Sequence, residues 1–423
     1  RAAVPEFASR APMAAARGWP RCRGRGVPAV FSLAPWPAIR RGAASTAASS
    51  SAARPPSSDK DFRVEVADFA SRQPHPVSLQ EVLSCLEPWR AAKFLHSEAP
   101  IRFAERIRWI EELPGWEEVR ELREVHAKHF RAFRELRSVD RHPTLDAFSR
   151  VVKDAVEQQK DVVACTAMGM AKWQRTRGKK EHDHDFVDAF LNRFLLNRLG
   201  SNVLMTQYLA CAKMLDKNYP PTGIIDPQCD AASICKQTAH EVLDVCAMNT
   251  GYRPIVNVEA HSAVGEDHGV PRFSYIPAFL RYIISEVLKN SCRATAEVVV
   301  SEEELERRPI TIVVCADEHR VAIRISDRAR GIPFDVGSHV WSYLYTTTRR
   351  TSEGPTSLAG YGVGLPLSRL YARYLGGSLD LVSLPGYGTD AYLMLPRVEA
   401  EQLEVVPDLD REYRVHTLSD YLF

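Results

Sequence analysis

The chain has 423 residues, and at about 150 residues per domain that length suits two domains with appendages. Hydrophobic residues make up 45% and charged residues 26%, ordinary values for a soluble globular protein with a real core. A net charge of +2 argues against a nucleic-acid binder, and no apolar run approaches the ~20 residues that span a bilayer.

The first stretch differs from everything after it. Between Phe7 and Ser58 there is no acidic residue and no lysine, while Arg10, Arg17, Arg21, Arg23, Arg25, Arg40, Arg41 and Arg54 lie among many Ala and Ser. That composition is expected of an organelle transit peptide, drawn to a negative-inside compartment and then removed. Met13 is a candidate start, and residues 1–58 are set apart from the fold.

Residues 59–220 read as helical. Phe103–Glu112, Trp116–Ser138, Leu145–Trp173 and Asp185–Lys213 carry apolar residues at three- and four-residue spacing. Breaks fall at Leu113-Pro-Gly115, at His142-Pro143 and in the charged stretch around Arg177–His184. Four such helices predict a bundle. Tyr219-Pro-Pro-Thr-Gly223 marks a boundary, followed by a second domain over 221–398 and a tail over 399–423.

In the second domain Ala231–Met248 reads as a helix, Pro254–Glu259 as a strand and Ile276–Val299 as a helix. Ile310–Ala316 and Val321–Ser326 are β-rich. A Gly-, Thr- and Ser-rich stretch over 328–363 has no clear period. Leu365–Leu375 then reads as a helix, and Ser378–Ser383 and Asp390–Pro396 as strands around the turn Leu384-Pro-Gly-Tyr-Gly388. The predicted class is α+β in two domains: a helical bundle, then an α/β sandwich with one sheet and its helices on one face. The nine cysteines (22, 85, 165, 211, 229, 235, 246, 292 and 315) form no Cys-x-x-Cys pair, and settings such as Val-Val-Cys315 suit buried reduced thiols.

Three blocks carry chemistry. On the helix through Ser285-Glu-Val-Leu-Lys-Asn-Ser-Cys-Arg293, the core stripe is Leu280, Ile283, Ile284, Val287 and Leu288, and Glu286, Asn290 and Arg293 share another face. An Asn oxygen suits Mg²⁺, a carboxylate one turn away suits proton acceptance, and Lys289 or Arg293 suits phosphate. The second block, Ile325-Ser-Asp-Arg-Ala-Arg-Gly331, ends a β-run in a carboxylate, Asp327, that can accept an adenine amino hydrogen. The third, Gly360-Tyr-Gly-Val-Gly364-Leu-Pro, is a glycine-rich turn opening a helix, and such a turn offers N–H groups and a favourable dipole to phosphate. Singly, each has an ordinary structural explanation: a solvated helix face, a common Asp-to-Gly turn, a loop.

In this order the blocks resemble the ATP-binding (GHKL, or Bergerat) fold shared by Hsp90-type chaperones, DNA gyrase, MutL and histidine kinases. More narrowly, Leu288–Glu297, Tyr361–Ala372, Ser383–Asp390, Phe69–Ser78 and Lys160-Asp-Val-Val163 resemble the mitochondrial pyruvate dehydrogenase kinase and branched-chain 2-oxoacid dehydrogenase kinase family, colinearly over about residues 60–398. The resemblance implies a four-helix regulatory domain on an ATP-binding domain, usually dimeric. It implies a serine kinase of the mitochondrial matrix that inactivates the decarboxylase α subunit and docks to a lipoyl domain of the acyltransferase core, with ATP and Mg²⁺ as cofactors. It assigns Glu286 as general base, Asn290 as Mg²⁺ ligand and Asp327 with Thr389 to adenine. Gly331, Thr346, Thr347, Gly360, Tyr361, Gly362, Val363, Gly364 and Leu365 would line the nucleotide, Lys289 and Arg293 would support the phosphates, and 328–359 would be the ATP lid.

Some positions depart from the family pattern. Ala329 and Arg330 stand where glycines are usual, Gln159 and Tyr208 stand where histidines are usual, and Leu403–Phe423 lacks the acidic-aromatic tail motif. Gly223–Cys229 and the short spacing from Asp327 to Gly360 resemble the pyruvate enzymes, and Tyr374-Leu-Gly-Gly-Ser-Leu379 the branched-chain one; the balance favours pyruvate dehydrogenase. The alternatives are a branched-chain kinase, a weakly catalytic nucleotide-gated scaffold, and a histidine kinase with His126 or His129 as phosphoacceptor. Lys179-Lys-Glu-His-Asp-His184 reads as a solvated loop before a metal site.

Overall fold

The computed structural model describes residues 59–77, 81–82, 87–139, 145–177, 183–213, 223–263, 272–346 and 362–397. The transit-peptide segment, the 399–423 tail, the linker at 214–222 and most of Lys179–His184 lie outside the described residues.

The helical half comprises α1 (Asp59–Ala70), α2 (Pro88–Glu111), α3 (Arg120–Ser138), α4 (Asp146–Gln158), α5 (Val162–Thr176) and α6 (Asp183–Lys213). The α2 helix starts well before the predicted Phe103. Pro88 occupies its first turn, where the missing N–H costs nothing, and Pro100 is carried inside it. Fully buried Phe103, Ile107, Ile110, Leu122, Phe133, Phe148, Met170, Leu191 and Phe194 form the bundle core.

The single helix expected over Leu145–Trp173 is two helices. At the joint, Arg198 Nη2 of α6 donates to the Gln159 carbonyl at 2.6 Å. That takes the acceptor an unbroken helix would give to residue 163. Apolar spacing runs on through the joint, so periodicity does not reveal it.

The mixed half comprises β1 (Asp226–Cys229), α7 (Ala231–Thr250), β2 (Val256–Ser262), β3 (Phe273–Tyr275), α8 (Pro277–Val298), α9 (Glu302–Glu306), β4 (Ile310–Ala316), β5 (Arg320–Ser326), α10 (Phe334–Gly337), α11 (Gly364–Tyr374), β6 (Ser378–Leu384) and β7 (Gly388–Pro396). Asp230 caps α7 by accepting the Ser233 N–H at 2.9 Å, and Gly251 closes it in the left-handed region at φ 78°. The five-stranded sheet runs β2-β4-β5-β7-β6, with β2 parallel to β4 and every other pair antiparallel. Alternate residues Ile310, Ile312, Val314, Val321, Ile323, Ile325, Leu393 and Leu395 are buried, and their face packs against the helices, whose stripe includes Leu280, Ile283, Ile284, Val287 and Leu288.

Two details differ from expectation. The β2 strand reaches Ser262 because His261 and Ser262 pair with Cys315 and Ala316. Cys315, expected to be buried, is exposed on the outer face of β4; the six other described cysteines are buried thiols outside any disulfide. Among the described residues no helix is long and apolar enough to cross a membrane.

Candidate active site

The site sits where α8, the ends of β5 and β7, and the start of α11 meet. Glu286, Lys289, Asn290, Arg293, Asp327, Gly331, Thr346, Gly362, Gly364, Leu365 and Thr389 line one cavity of about 440 Å³, within the size range of small-ligand sites. Of the other predicted residues, Val363 is buried beside the cavity as the N-cap residue of α11, and Thr347, Gly360 and Tyr361 lie outside the described residues.

Asp327 anchors one end and is 5% exposed. Its Oδ1 accepts the backbone N–H of Ala329 at 3.1 Å and of Thr389 at 3.3 Å, and its Oδ2 accepts the Ser291 hydroxyl at 2.9 Å. Burial pushes this carboxyl above the usual Asp range, and the three donors oppose the rise. Around it the backbone is close: a Cβ on Gly331 would collide with the Leu384 carbonyl, and one on Gly388 with the Asp327 carbonyl. Ser383 ties the far wall, taking the Ile332 N–H at 2.7 Å and sharing a hydrogen bond with the Thr389 hydroxyl at 3.0 Å.

At the other end, Lys289 Nζ donates to Glu286 Oε1 at 2.5 Å. Arg293, one turn on, pairs with Glu297 at 3.5 Å. A Cβ added to Gly364 would lie 2.5 Å from Glu286 Oε2, so the first residue of α11 abuts the carboxylate, and a side chain there would push the Glu286 carboxylate aside. This places a helix N-terminus, with its free N–H groups, at the carboxylate end of the cavity. The arrangement can take a polar heterocycle at Asp327 and an anion near Gly362 and Gly364, with Glu286 as proton acceptor.

The departures from the family pattern are absorbed differently. Arg330 adopts φ 66°, its N–H donating to the Tyr387 carbonyl at 3.2 Å and its carbonyl accepting from Gly386 at 2.7 Å. The turn is therefore formed despite the side chain, at a conformational cost. Arg330→Gly is expected to raise unfolding free energy by about 0.5–1 kcal/mol, read from the urea midpoint, because Gly meets the left-handed region without strain. Tyr208 is buried and shares a hydrogen bond with the Ser149 hydroxyl at 2.7 Å. Gln159 lies behind Arg198, whose guanidinium also hydrogen-bonds Tyr371; that ring packs on Tyr282 at 4.8 Å, one turn before Glu286.

The histidine candidates are not placed for phosphoryl transfer. His129 is fully buried, bonds the Val125 carbonyl at 2.7 Å, and is held well below the usual histidine range by burial and then by Arg106. His126 packs against Trp116 at 4.4 Å and pairs with Glu111 at 2.9 Å.

Sequence reasoning missed Ser291, whose position beside Asn290 on the core-facing edge of α8 was the available signal. It also missed Ser383 and the apolar walls from Ile332 and Val336. Asp188, on α6, carried no signal at all.

Residues 276–399 match the family of histidine kinase-, DNA gyrase B- and HSP90-like ATPases, which accords with the sheet, the cavity and the glycine turns described above. Residues 76–226 match the family described as mitochondrial branched-chain alpha-ketoacid dehydrogenase kinase. The chain is 32% identical to the mitochondrial [pyruvate dehydrogenase (acetyl-transferring)] kinase of Arabidopsis thaliana over 74% of its own length and 86% of the relative's. It is 30% identical to human isozyme 3 of that kinase over 81% and 88%, and 28% identical to isozyme 4 of Ictidomys tridecemlineatus over 83% and 88%. The chain belongs to the mitochondrial 2-oxoacid dehydrogenase kinase family, a branch of the GHKL ATPases whose members use ATP.

Proposed function

We propose that this chain is a mitochondrial protein serine kinase that transfers the γ-phosphoryl group of ATP to the decarboxylase α subunit of pyruvate dehydrogenase and so inactivates the complex. The observation that carries the reading is one cavity with a buried, backbone-anchored carboxylate, Asp327, at one end and Glu286 against a helix N-terminus at the other.

In this reading the adenine amino group donates to Asp327, with Thr389 and Gly331 around the base. The triphosphate runs toward Gly362 and Gly364, whose turn supplies N–H groups and whose helix supplies a favourable dipole. Lys289 and Arg293 lie on the same wall and neutralise phosphate charge. Glu286 accepts the proton of the serine hydroxyl as it attacks. Catalysis is then positioning plus charge stabilisation, as phosphoryl transfer requires.

A magnesium ion fits the donor set. Among the described residues no group of three or more His, Cys, Asp or Glu could hold a metal alone. Asn290 lines the cavity one turn from Glu286, and a single hard oxygen suits an ion that keeps its other places for water and phosphate. Asn290 would hold it there, and the ion would supply neutralisation of phosphate charge.

A lipoyl domain of the acyltransferase core as docking partner, a homodimer as the working form and the matrix as compartment belong to the same proposal, on the strength of the family resemblance. The family matched over residues 76–226 favours a second reading, the branched-chain complex as target. Initial rates of phosphate incorporation into purified pyruvate and branched-chain decarboxylase components, measured in parallel, decide between them. The expected result is a rate at least about tenfold higher on the pyruvate component, a preference of about 1.4 kcal/mol in transition-state binding. The reverse preference assigns the chain to the branched-chain complex.

A further inference from the structure

The cavity's residues all come from the mixed half, yet one of its walls is fastened to the bundle. Asp188, half-buried on α6, accepts the Ser342 hydroxyl through Oδ2 at 2.7 Å and the Tyr343 backbone N–H through Oδ1 at 2.7 Å. One turn further along α6, Asn192 Oδ1 accepts the Tyr343 phenol at 3.0 Å. Tyr343 is 2% exposed. From the other side, Arg369 of α11 lies over the Trp341 ring at 4.4 Å and pairs with Asp380 at 3.4 Å. The segment 341–343 is thus gripped between a bundle helix and the helix that opens at the glycine turn.

The next residues along the chain lead from this grip into the cavity. Leu344 adopts φ 65°, a conformation a branched side chain avoids unless its surroundings enforce it. Its N–H donates to the Gly362 carbonyl at 3.0 Å. Gly362 itself has φ 73°, and a Cβ there would lie 2.7 Å from the Tyr345 carbonyl. Tyr345, Thr346, Gly362 and Gly364 then line the cavity, and Gly364 abuts Glu286. Hydrogen bonds and consecutive residues therefore join Asp188 to the glycine turn without a gap, and the grip begins with two charge-assisted bonds.

We propose that Asp188 is a positioning residue for phosphoryl transfer: by clamping Ser342 and Tyr343 to α6 it holds Leu344 against Gly362 and so sets the phosphate wall of the cavity, which makes nucleotide affinity a property of the bundle as well. This rests on the reading of the cavity as an ATP site. A ligand that binds one face of such a linkage must act on the other by the same factor. Bound ATP therefore steadies α6, and a change in α6 alters ATP affinity.

The test uses the full chain and three variants, Asp188→Ala, Asp188→Asn and Ser342→Ala. ATP affinity is measured at equilibrium, together with backbone amide exchange along α6 with and without ATP, and melting temperature. Asp188→Ala is expected to weaken ATP by about tenfold and to abolish the slowing of exchange that ATP produces around residues 188–192. Asp188→Asn is expected to recover affinity to within about threefold, its carboxamide oxygen taking the Tyr343 N–H and its amide donating to the Ser342 oxygen. Ser342→Ala removes one of the two bonds, carries no risk to the α6 core, and is expected to lose about threefold with a reduced exchange response. Wild-type affinity and an intact exchange response in Asp188→Ala, whatever its melting temperature, would overturn the proposal. If Asp188→Ala fails to fold, the same result in Ser342→Ala overturns it. Absence of ATP binding by the unaltered chain is a different outcome: it removes the ATP reading of the cavity and the proposal with it.

Discussion

Asp327→Asn is expected to fold, to lose ATP affinity by about a hundredfold, and to shift its preference toward inosine triphosphate. The carboxylate has two jobs at two oxygens. Its Oδ1 satisfies the Ala329 and Thr389 N–H groups, and a carboxamide oxygen can do the same. Its Oδ2 faces Ser291 and, in the proposed pose, the adenine amino group. An NH₂ in that place can donate to the Ser291 oxygen, so the fold survives. Against adenine it sets donor against donor, whereas the carbonyl of a 6-oxopurine would accept from it. Asp327→Ala lacks this discrimination and takes the acceptor from three donors, of which the Ser291 hydroxyl and the Ala329 N–H are buried, at about 1 kcal/mol or more for each of those two. Affinity titrations with both nucleotides, beside a urea melt, read the two effects separately. Unchanged ATP affinity in a folded Asp327→Asn would move adenine away from this end of the cavity.

The second large effect is at Glu286. Glu286→Gln is expected to lower the rate of phosphate transfer at saturating ATP by about 10³, with ATP affinity held within about threefold. Gln keeps the shape that fits against Gly364 and an oxygen for Lys289, but accepts no proton. Its charge is lost beside Lys289, a part-exposed pair whose contribution to stability is small after solvent screening. A loss confined to ATP affinity, with an undiminished rate at saturation, would show that Glu286 serves binding and that another group takes the proton.

The features most legible in the sequence were those with a short period or a short motif. Alternating Ile310, Ile312 and Val314, and then Val321, Ile323 and Ile325, declared the sheet centre, and the Glu286–Asn290 spacing fixed one face of α8. The three glycine and acidic blocks fell together because the middle of α8, the turn after β5 and the turn that opens α11 line one cavity. What stayed hidden was set by distant partners. Arg198 breaks the Leu145–Trp173 helix by taking a carbonyl thirty-nine residues away, a contact no local pattern records. Apolar spacing from Phe103 marked only the later part of α2; Pro88 costs nothing in its first turn, and Pro100 is carried by the packing of a long buried helix. The short β1 and β3 strands are a pair only because the fold brings Asp226 opposite Tyr275. Cys315 looks buried in an apolar run, but the alternation of β4 turns it outward, which counting alone along the strand would have shown. Asp188 looks like one more acid at the start of a charged helix, and its contacts with Ser342 and Tyr343 exist only in three dimensions.

Those same long-range contacts connect the two halves into one working unit. The bundle reaches the mixed half through Asp188 and Asn192 at Tyr343, and through Arg198 at Tyr371. The Gln207 side chain adds a third link, accepting the Ile224 N–H at 2.9 Å just before the first strand. A regulatory signal received on the helices therefore has physical routes toward the cavity, the most direct of them through Tyr343 to the cavity-lining Tyr345.

The most direct measurement is transfer of labelled γ-phosphate from Mg-ATP to the purified pyruvate decarboxylase component, with the acid stability of the product and the residual decarboxylase activity followed together. The account predicts acid-stable phosphoserine on the α subunit, decarboxylase activity falling in step with incorporation, and transfer by Glu286→Gln reduced to a trace. ATP bound with no transfer to a pyruvate or branched-chain component, or acid-labile label on the chain itself, would contradict it.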